Sequence, residues 1–471
     1  MKNYKMSLWG LSCRLLFFAC LGFTVFQSCT EEKESLATPS NISFSHDTVR
    51  FDSVFSAEVS PTQLLRIYNK SSLPVRLERI TLQGGEKSPF SLLVDGAATY
   101  EKTNLRIDAH DSLTLVIRLR PPQQGGNSFL LSDEIEVAIT NQAKKHLSLE
   151  AWGLPHKDIH GSTIDQDTEW SNASALIITK PVVVAKGATL RILPGTSLYF
   201  RPNASLTVHG KLLVEGTIER RVLFAGTRLD SAYKYTPGQW QGLLLMPESG
   251  PHIIRNATFR SAVTAIRTDS PTASTTLENV IISGCSRDAI ALRNTKLQMS
   301  GCILAQNSGS AISLRGAQVS MDFCTLTGDT RFGQARRASL ILLDTPPEGS
   351  ENMLSVVNSI IWGAYSDEVR ATGSATLDAV NASHSIFKWT KNRPAPSERW
   401  EKIIYDDPLL EKPAQLNVEL KSTSPARGTG LVVKPDAETL YDLKGRKRLG
   451  QDGKVDRGAL VFRVEEENLR D

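Results

Sequence analysis

The feature that most restricts this chain is a recurrence of short apolar strands about every 22 residues. Asn256-Ala257-Thr258-Phe259 is followed by Asn279-Val280-Ile281-Ile282, Gly301-Cys302-Ile303-Leu304 and Phe323-Cys324-Thr325-Leu326, at offsets of 23, 22 and 22. A second segment keeps phase: Ala265-Ile266, Ala289-Ile290 and Ala311-Ile312 lie 24 and 22 residues apart. A third apolar ridge is read through Leu277, Leu297 and Val319. Residues two apart in a strand share a face. A constant step therefore stacks like side chains on like, and each turn hides its faces only against its neighbours. Three short strands per turn predict a right-handed parallel β-helix. At about 4.8 Å per turn, roughly ten turns make a rod near 50 Å long. Two later turns, displaced by insertions, are expected at Asn358-Ser359-Ile360-Ile361 and His384-Ser385-Ile386-Phe387.

Upstream the step reads shorter. Leu190 and Ile192 recur as Leu206 and Val208, then as Val222 and Phe224, 16 residues at a time; Leu198 and Phe200 match Leu212 and Val214 at 14. Alternation accounts for nearly every residue here, so the stretch reads as scaffold. Cys302 and Cys324 hold equivalent positions one turn apart. Stacked backbones at that spacing fall within disulfide range, but parallel stacked side chains rarely aim at each other, so a buried thiol pair is expected. Asn279, Asn358 and Asn381 sit near strand starts and are expected to bond the backbone.

The first 40 residues point to export. Lys2, Lys5 and Arg14 precede an apolar run of 12 residues, Leu15 to Phe26. That is too short for a spanning helix, which needs roughly 20 residues, and it suits a signal peptide over 1–28. Ser28-Cys29 resembles a bacterial lipobox, which implies lipidation of Cys29 and a membrane partner reached through that anchor. Thr30-Glu31-Glu32-Lys33-Glu34 opens a tether over 29–40 and resembles the surface-export signal of Bacteroidetes lipoproteins; a plain solvated tether is the other reading. The expected location is the outer membrane, facing out. Two or more acyl chains hold such a protein stably.

Charge and cysteine count exclude several classes. The formal net charge is +4, and three of those charges precede Cys29, leaving about +1 for the rest. A nucleic-acid binder needs a concentrated basic face, so no nucleic-acid partner is expected. The one dense basic run, Lys444–Arg448, reads as a solvated loop or, alternatively, an anion contact. Three cysteines follow Cys29, namely Cys285, Cys302 and Cys324. An odd number argues against a full disulfide framework. No Cys-x-x-Cys occurs and the eight His are scattered, so neither a metal site nor a cofactor is expected.

Residues 41–154 show period-two runs such as Leu65-Arg66-Ile67-Tyr68, Val75–Ile80, Leu113–Leu119 and Ile135–Ile139, separated by turn residues. Several strands at this spacing predict a β-sandwich. The order Phe51-Asp52-Ser53-Val54, Leu65–Asn69, Ser88-Pro89-Phe90, Leu119-Arg120-Pro121 and Trp152-Gly153 resembles immunoglobulin-like domains of the spindle/hydin type, which implies a spacer or interaction module. Trp152 is expected to pack inside. The fold class is thus all-β: an N-terminal Ig-like sandwich, then a right-handed parallel β-helix over 160–400 and a C-terminal cap over 401–471.

The run Thr189-Leu190-x-Ile192, Pro194-Gly195-Thr196, Leu206-x-Val208-x-Gly210-x-Leu212, Glu215-Gly216-Thr217 and Val222-x-Phe224 is similar to the opening turns of pectate-lyase-like β-helix proteins. Pro237-Gly238-Gln239-Trp240-Gln241-Gly242 resembles the Trp-Gly turn that often follows them. Asp407-Pro408-Leu409, Ser424-Pro425-Ala426, Gly430, Asp442-x-x-Gly445-Arg446 and Val455-Asp456-x-Gly458-Ala459 resemble a C-terminal cap of the "choice-of-anchor Q" type; Leu460-Val461 depart from it, so the final strand is expected to differ. Such a resemblance speaks to fold far more than to activity.

Parallel β-helices include polysaccharide lyases and glycoside hydrolases. A hydrolase needs converging carboxylates, and a lyase needs a base plus cations that neutralise the uronate. Arg267, Arg287, Asp288, Arg293, Lys296, Arg315 and Asp322 read as solvent-side, but no Asp or Glu recurs at the 22-residue step. Arg267, Arg293 and Arg315, at offsets of 26 and 22, read either as solvated edge charges or as a basic stripe for an anionic glycan. Asp406-Asp407 looks like a carboxylate pair, but Asp407-Pro408 matches the resembled cap's structural turn. Aromatic faces stack on pyranose rings, and Trp362, Trp389, Trp400 and Tyr405 fall where loops Arg331–Arg337 and Lys391–Trp400 break the repeat. Functional side chains favour such loops, so a binding surface including Trp389 and Trp400 is expected there, with cap packing of the Trp side chains as the other reading. The sequence as a whole points to a lipid-anchored binding or scaffold protein contacting glycan or a surface protein, with no catalytic residues assigned; a lyase or hydrolase is the alternative.

Overall fold

The computed structural model describes residues 42–140, 144–171, 174–268, 274–329, 336–390, 394–395, 397–432 and 441–462. Cys29 and the segments before it lie outside the described residues. The chain forms two units. Of the described residues, one unit holds 42–49, Thr62–Arg118 and those within Ser132–Leu149; the other holds Arg50–Pro61, Leu119–Leu131 and those from Glu150 onward.

The N-terminal strands make two five-stranded sheets, with antiparallel pairing such as Leu65 opposite Leu115 and Val75 opposite Ile107. Alternation decides what is inside: Leu65, Ile67, Leu77, Leu115 and Ile117 are fully enclosed. Strand Lys145–Leu154 keeps this period, burying Leu147, Leu149 and Ala151. Trp152 therefore falls on the opposite face and is 48% exposed, where packing had been expected.

The second unit coils through three parallel sheets in rotation. Sheet I begins at His156–Ile159 and stacks ten strands; sheet II begins at Thr163–Ile164 and stacks nine; sheet III begins at Thr168–Trp170 and stacks ten. On sheet I the inward column runs from Phe259 through Ile282, Leu304 and Leu326 to Ile361 and Phe387. On sheet II, Ile266, Ile290 and Ile312 stack in register. These are the ladders expected of a parallel β-helix.

Two expected ladders differ. Leu190 stacks on Leu212, not on Leu206, which lies between Val182 and Leu243 on sheet II. The 16- and 14-residue steps compared strands of different sheets, which look alike because all three face one core. The 22-residue step already operates from Trp170 to Ile192 to Val214. On sheet III, Leu277 stacks on Met299, while Leu297 stacks between the buried Thr275 and Val319. A buried threonine in an apolar column hid the true register.

The turn from sheet III to sheet I is the tightest. Asn256, Asn279, Gly301, Phe323, Asn358 and His384 each follow a sheet III strand with φ between 44° and 63°. Asn and Gly tolerate this left-handed region best. Asn381 instead lies within strand Val380–Ser383. Gly242, with φ of 110°, is required by close approach: a Cβ there would sit 1.7 Å from the Thr264 carbonyl oxygen.

Trp240 joins the core after strand Val222–Gly226, while the place a side chain at Gly226 would take is filled by Gln239. Its ring stacks on Phe200 at 4.2 Å and its Nε1–H donates to the Arg260 carbonyl at 2.9 Å. The far end of the core is closed by Phe387, Trp389 and Trp400, with Trp400 at 4.5 Å from Phe387 and 5.4 Å from Trp389.

The segment expected as a cap lies along the outer face of sheet I. Leu410, Val418, Leu420, Ala426, Leu443, Ala459 and Leu460 cover Ile303, Ala305, Ile360 and Ile386, which point away from the rod's core. Asn358 Nδ2 donates to the Leu431 carbonyl (3.0 Å) and its Oδ1 accepts from the Leu431 N–H (2.6 Å). Arg457 Nη1 donates to the Ser385 carbonyl at 2.8 Å. Asp442 is enclosed and accepts from the Lys444 and Arg446 N–H groups, each at 2.9 Å. The basic run Lys444–Arg448 is thus only partly solvated: Arg448 is buried, donating to the Gly458 and Ala459 carbonyls at 3.2 Å each.

Candidate functional site: a basic trough on sheet II

Among the described residues, sheet I is covered on the outside over this stretch and sheet II is not. Its outward column runs in register from Leu244 through Arg267, Ala291, Ser313 and Leu342 to Arg370. Alternation sends Arg293 and Arg315 to the same face two residues further along their strands, paired with each other. The small side chains Ala291 and Ser313 form a low floor. Around it Arg267, Arg293, Arg315 and Asp344 line a concavity of about 290 Å³. A second concavity of about 270 Å³ shares Arg267 and adds Arg287 and Gln241. Arg267, Arg287, Arg293 and Arg315 are all exposed.

The three predicted arginines therefore meet in one trough, though not as one column. Arg267 aligns with Ala291, because the offset that matters is 24. Arg293 and Arg315 form the in-register pair. Their long stems can lie along the strand while the guanidinium heads stay in water.

Two carboxylates border the trough, and both are held. Asp288 Oδ1 accepts from the Ser310 N–H (2.8 Å) and Oδ2 from the Ser313 hydroxyl (2.7 Å). Asp344 Oδ1 accepts from the Thr345 N–H (2.8 Å) and the Thr372 hydroxyl (3.1 Å), while Oδ2 lies 3.8 Å from Arg315 Nε. Arg315 Nε also donates to the Thr345 carbonyl at 3.3 Å. These contacts fix the wall beside the arginine pair.

The surface expected after residue 330 is not built from its tryptophans. Trp389 and Trp400 are 6% and 9% exposed. Their Nε1–H groups donate to the Pro394 and Val380 carbonyls, at 3.2 and 3.1 Å. Trp400 continues the inward column of sheet III, stacked in register on Ala382. With both faces against other side chains, neither ring can receive a sugar. Arg336, at the end of the first loop, is buried with Glu368: its Nη2 donates to both carboxylate oxygens at 2.5 and 2.6 Å. Arg331–Ala335 and Lys391–Arg393 lie outside the described residues. Asp407 Oδ1 accepts from the Leu409 N–H at 2.8 Å, a turn as expected. Asp322, read as solvent-side, is half-buried; burial pushes its carboxyl up to about 6, opposed by the charge of Arg448.

Sequence reasoning missed the floor of the trough. Ala291 and Ser313 carry no chemistry of their own, and their alignment with Arg267 follows only from register. Cys285, Cys302 and Cys324 are unpaired and buried. Among the described residues no group of three or more His, Cys, Asp or Glu is placed to hold a metal ion, and no helix is long and apolar enough to cross a membrane.

No family model matches the chain, and no curated protein matches it. Solved structures share parts of its course at low identity. Dex49A from Penicillium minioluteum is 10% identical, covering 76% of each chain, with a TM-score of 0.20. The catalytic domain of a GH87 alpha-1,3-glucanase, solved with tetrasaccharides, is 7% identical over 74% of this chain and 91% of that one, with a TM-score of 0.18. A family 123 glycoside hydrolase from Clostridium perfringens is 10% identical over 25% of this chain, with a TM-score of 0.17, and the match spans about a quarter (26%) of that chain's length.

Proposed function

We propose that this protein is a lipid-anchored cell-surface binding protein that holds an acidic glycan across sheet II without cleaving it. The observation that carries the reading is the trough: Arg293 and Arg315 paired in register, with Arg267 nearby, over a floor of Ala291 and Ser313. Guanidinium groups suit carboxylate and sulfate because their planar donors match two acceptor oxygens at once. A floor of small side chains lets a flat chain approach the backbone. Asp288 and Asp344 are engaged in hydrogen bonds that position the wall, which suits holding a ligand better than acid–base work on it. Cys29 supplies the anchor in this reading, and Glu31, Glu32 and Glu34 accompany it to the outer surface.

Affinity electrophoresis through gels containing polygalacturonate, alginate or chondroitin sulfate tests the binding. Retardation by at least one of these, weakened by added salt and by Arg293→Ala/Arg315→Ala, is expected. Release of 4,5-unsaturated uronate or of new reducing ends from the retained polymer would replace binding by catalysis. Labelled palmitate should enter the wild-type chain and not Cys29→Ala.

A further inference from the structure

Sheet III carries a second, chemically different surface. The turn between sheets II and III is short in two successive turns of the rod, at Asn294-Thr295 and Gly316-Ala317. In the next turn it lengthens to the segment between Leu343 and Met353. That longer segment is fixed in place. Asn352 Oδ1 accepts from the Gly316 N–H (2.7 Å) and its Nδ2 donates to the Asp344 carbonyl (2.8 Å). The Ser350 hydroxyl donates to the Pro347 carbonyl at 2.7 Å. The result is a ledge: Gly349, Ser350 and Glu351, together with Lys296, Gln318 and Met353, line an open cleft of about 920 Å³.

Beside the cleft the outward column of sheet III is uncharged and hydrogen-bonding over five consecutive turns: Thr276, Gln298, Ser320, Ser355 and Asn381, all in register. Their spacing is that of stacked strands, about 4.8 Å. Amide and hydroxyl side chains both donate and accept, as sugar hydroxyls do. Met353, 48% exposed, offers the adaptable apolar contact that the face of a sugar ring can use. Lys296 and Glu351 bring one charge of each sign, so the cleft selects no ionic ligand. This contrasts with the arginines of sheet II.

We infer that the cleft lined by Ser350-Glu351 and the Lys296–Gln318–Met353 row is a second binding site, taking a neutral, hydroxyl-rich oligosaccharide that runs along the Gln298–Ser320–Ser355 column. The site is independent of the trough on sheet II. The two faces then join an acidic chain to an uncharged one.

The test is an array of uncharged oligosaccharides, from disaccharides to hexasaccharides, probed with the full chain. Wild type and Arg293→Ala/Arg315→Ala should retain the same uncharged glycan, and Gln298→Ala/Gln318→Ala should weaken that retention at least about tenfold. Losing two neutral hydrogen bonds, each worth about 1 kcal/mol, has that effect. Both glutamines are exposed, and an unchanged melting temperature would show that the variant is folded. Retention of no uncharged glycan by wild type, or equal retention by the glutamine variant, would overturn the inference and leave the acidic-glycan reading standing. Loss through the arginine variant alone would also overturn it.

Discussion

Arg293 and Arg315 are register partners on adjacent strands of sheet II, so two guanidinium-bearing side chains leave the same face one strand spacing apart. Asp344 Oδ2 stands 3.8 Å from Arg315 Nε, and the remaining guanidinium donors of the pair can serve a bound carboxylate or sulfate. Arg293→Ala/Arg315→Ala should therefore weaken acidic-glycan binding by about tenfold to a hundredfold, at roughly 1 kcal/mol or somewhat more per exposed pair. Titration calorimetry at two salt concentrations checks this. The variant should also lose most of the salt dependence, because exposed charges are screened by added ions.

Inward and outward isoleucines should behave differently. Ile282 lies in the continuous core, whereas its neighbour Ile281 and the next-turn Ile303 face the C-terminal segment. Ile282→Asp places an unpaired charge among apolar side chains and should cost more than about 4 kcal/mol. Thermal melting should show the rod unfolded or nearly so. Ile303→Asp should instead release the C-terminal segment, read as faster proteolytic cleavage between residues 401 and 462 while the β-sheet signal in circular dichroism persists. If both variants melt alike, the assignment of faces is wrong.

How much of this was legible beforehand depends on the face concerned. Phe259, Ile282, Leu304 and Leu326 announced the repeat because an inward column must be apolar at every turn. The same rule misled where all three sheets alternate alike, as at Leu190 and Leu206, since hydrophobicity marks inside from outside but not one sheet from another. Ile303 and Ile360 are apolar yet face outward, and the sequence around them carries no sign of the remote segment, from Leu410 on, that covers them. Trp400 looked like a platform because its strand, Trp400–Glu401, is only two residues long and carries no period. The arginines were visible as residue types, but their shared trough depended on Ala291 and Ser313, which signal nothing on their own.

The buried His252 and the half-buried Asp322 should give opposing pH effects on stability. Burial lowers the His252 imidazole to about 4 from an ordinary 6.5, while burial raises the Asp322 carboxyl to about 6 from 3.8. The stability tied to neutral His252 is present above pH 6.5 and is lost as pH falls towards 4. The stability tied to protonated Asp322 is present below pH 3.8 and is lost as pH rises through 6. Each is worth on the order of 2–3 kcal/mol, so they nearly cancel in the wild type. Asp322→Asn should expose the histidine effect, with stability falling by that amount from pH 7 to pH 4 relative to wild type. His252→Gln should shift the difference the other way. Denaturant melts at pH 4, 5.5 and 7 separate the two.

The thiols should be silent in the folded protein. Burial pushes Cys285 up to about 12 and Cys324 well above its ordinary range, and thiolates rather than thiols react. Iodoacetamide at pH 8 followed by peptide mapping should find Cys285, Cys302 and Cys324 unmodified in the native protein and alkylated in guanidinium chloride. A peptide linking Cys302 to Cys324 would contradict the unpaired state.

The covering of sheet I by residues beyond 401 has a consequence for synthesis. A ribosome makes the coil before it makes the strip that shields Ile303, Ile360 and Ile386. Without that strip the coil carries a long adhesive seam. A chain stopped at residue 400 would then clump with its own kind instead of persisting as a slightly shorter version of the parent.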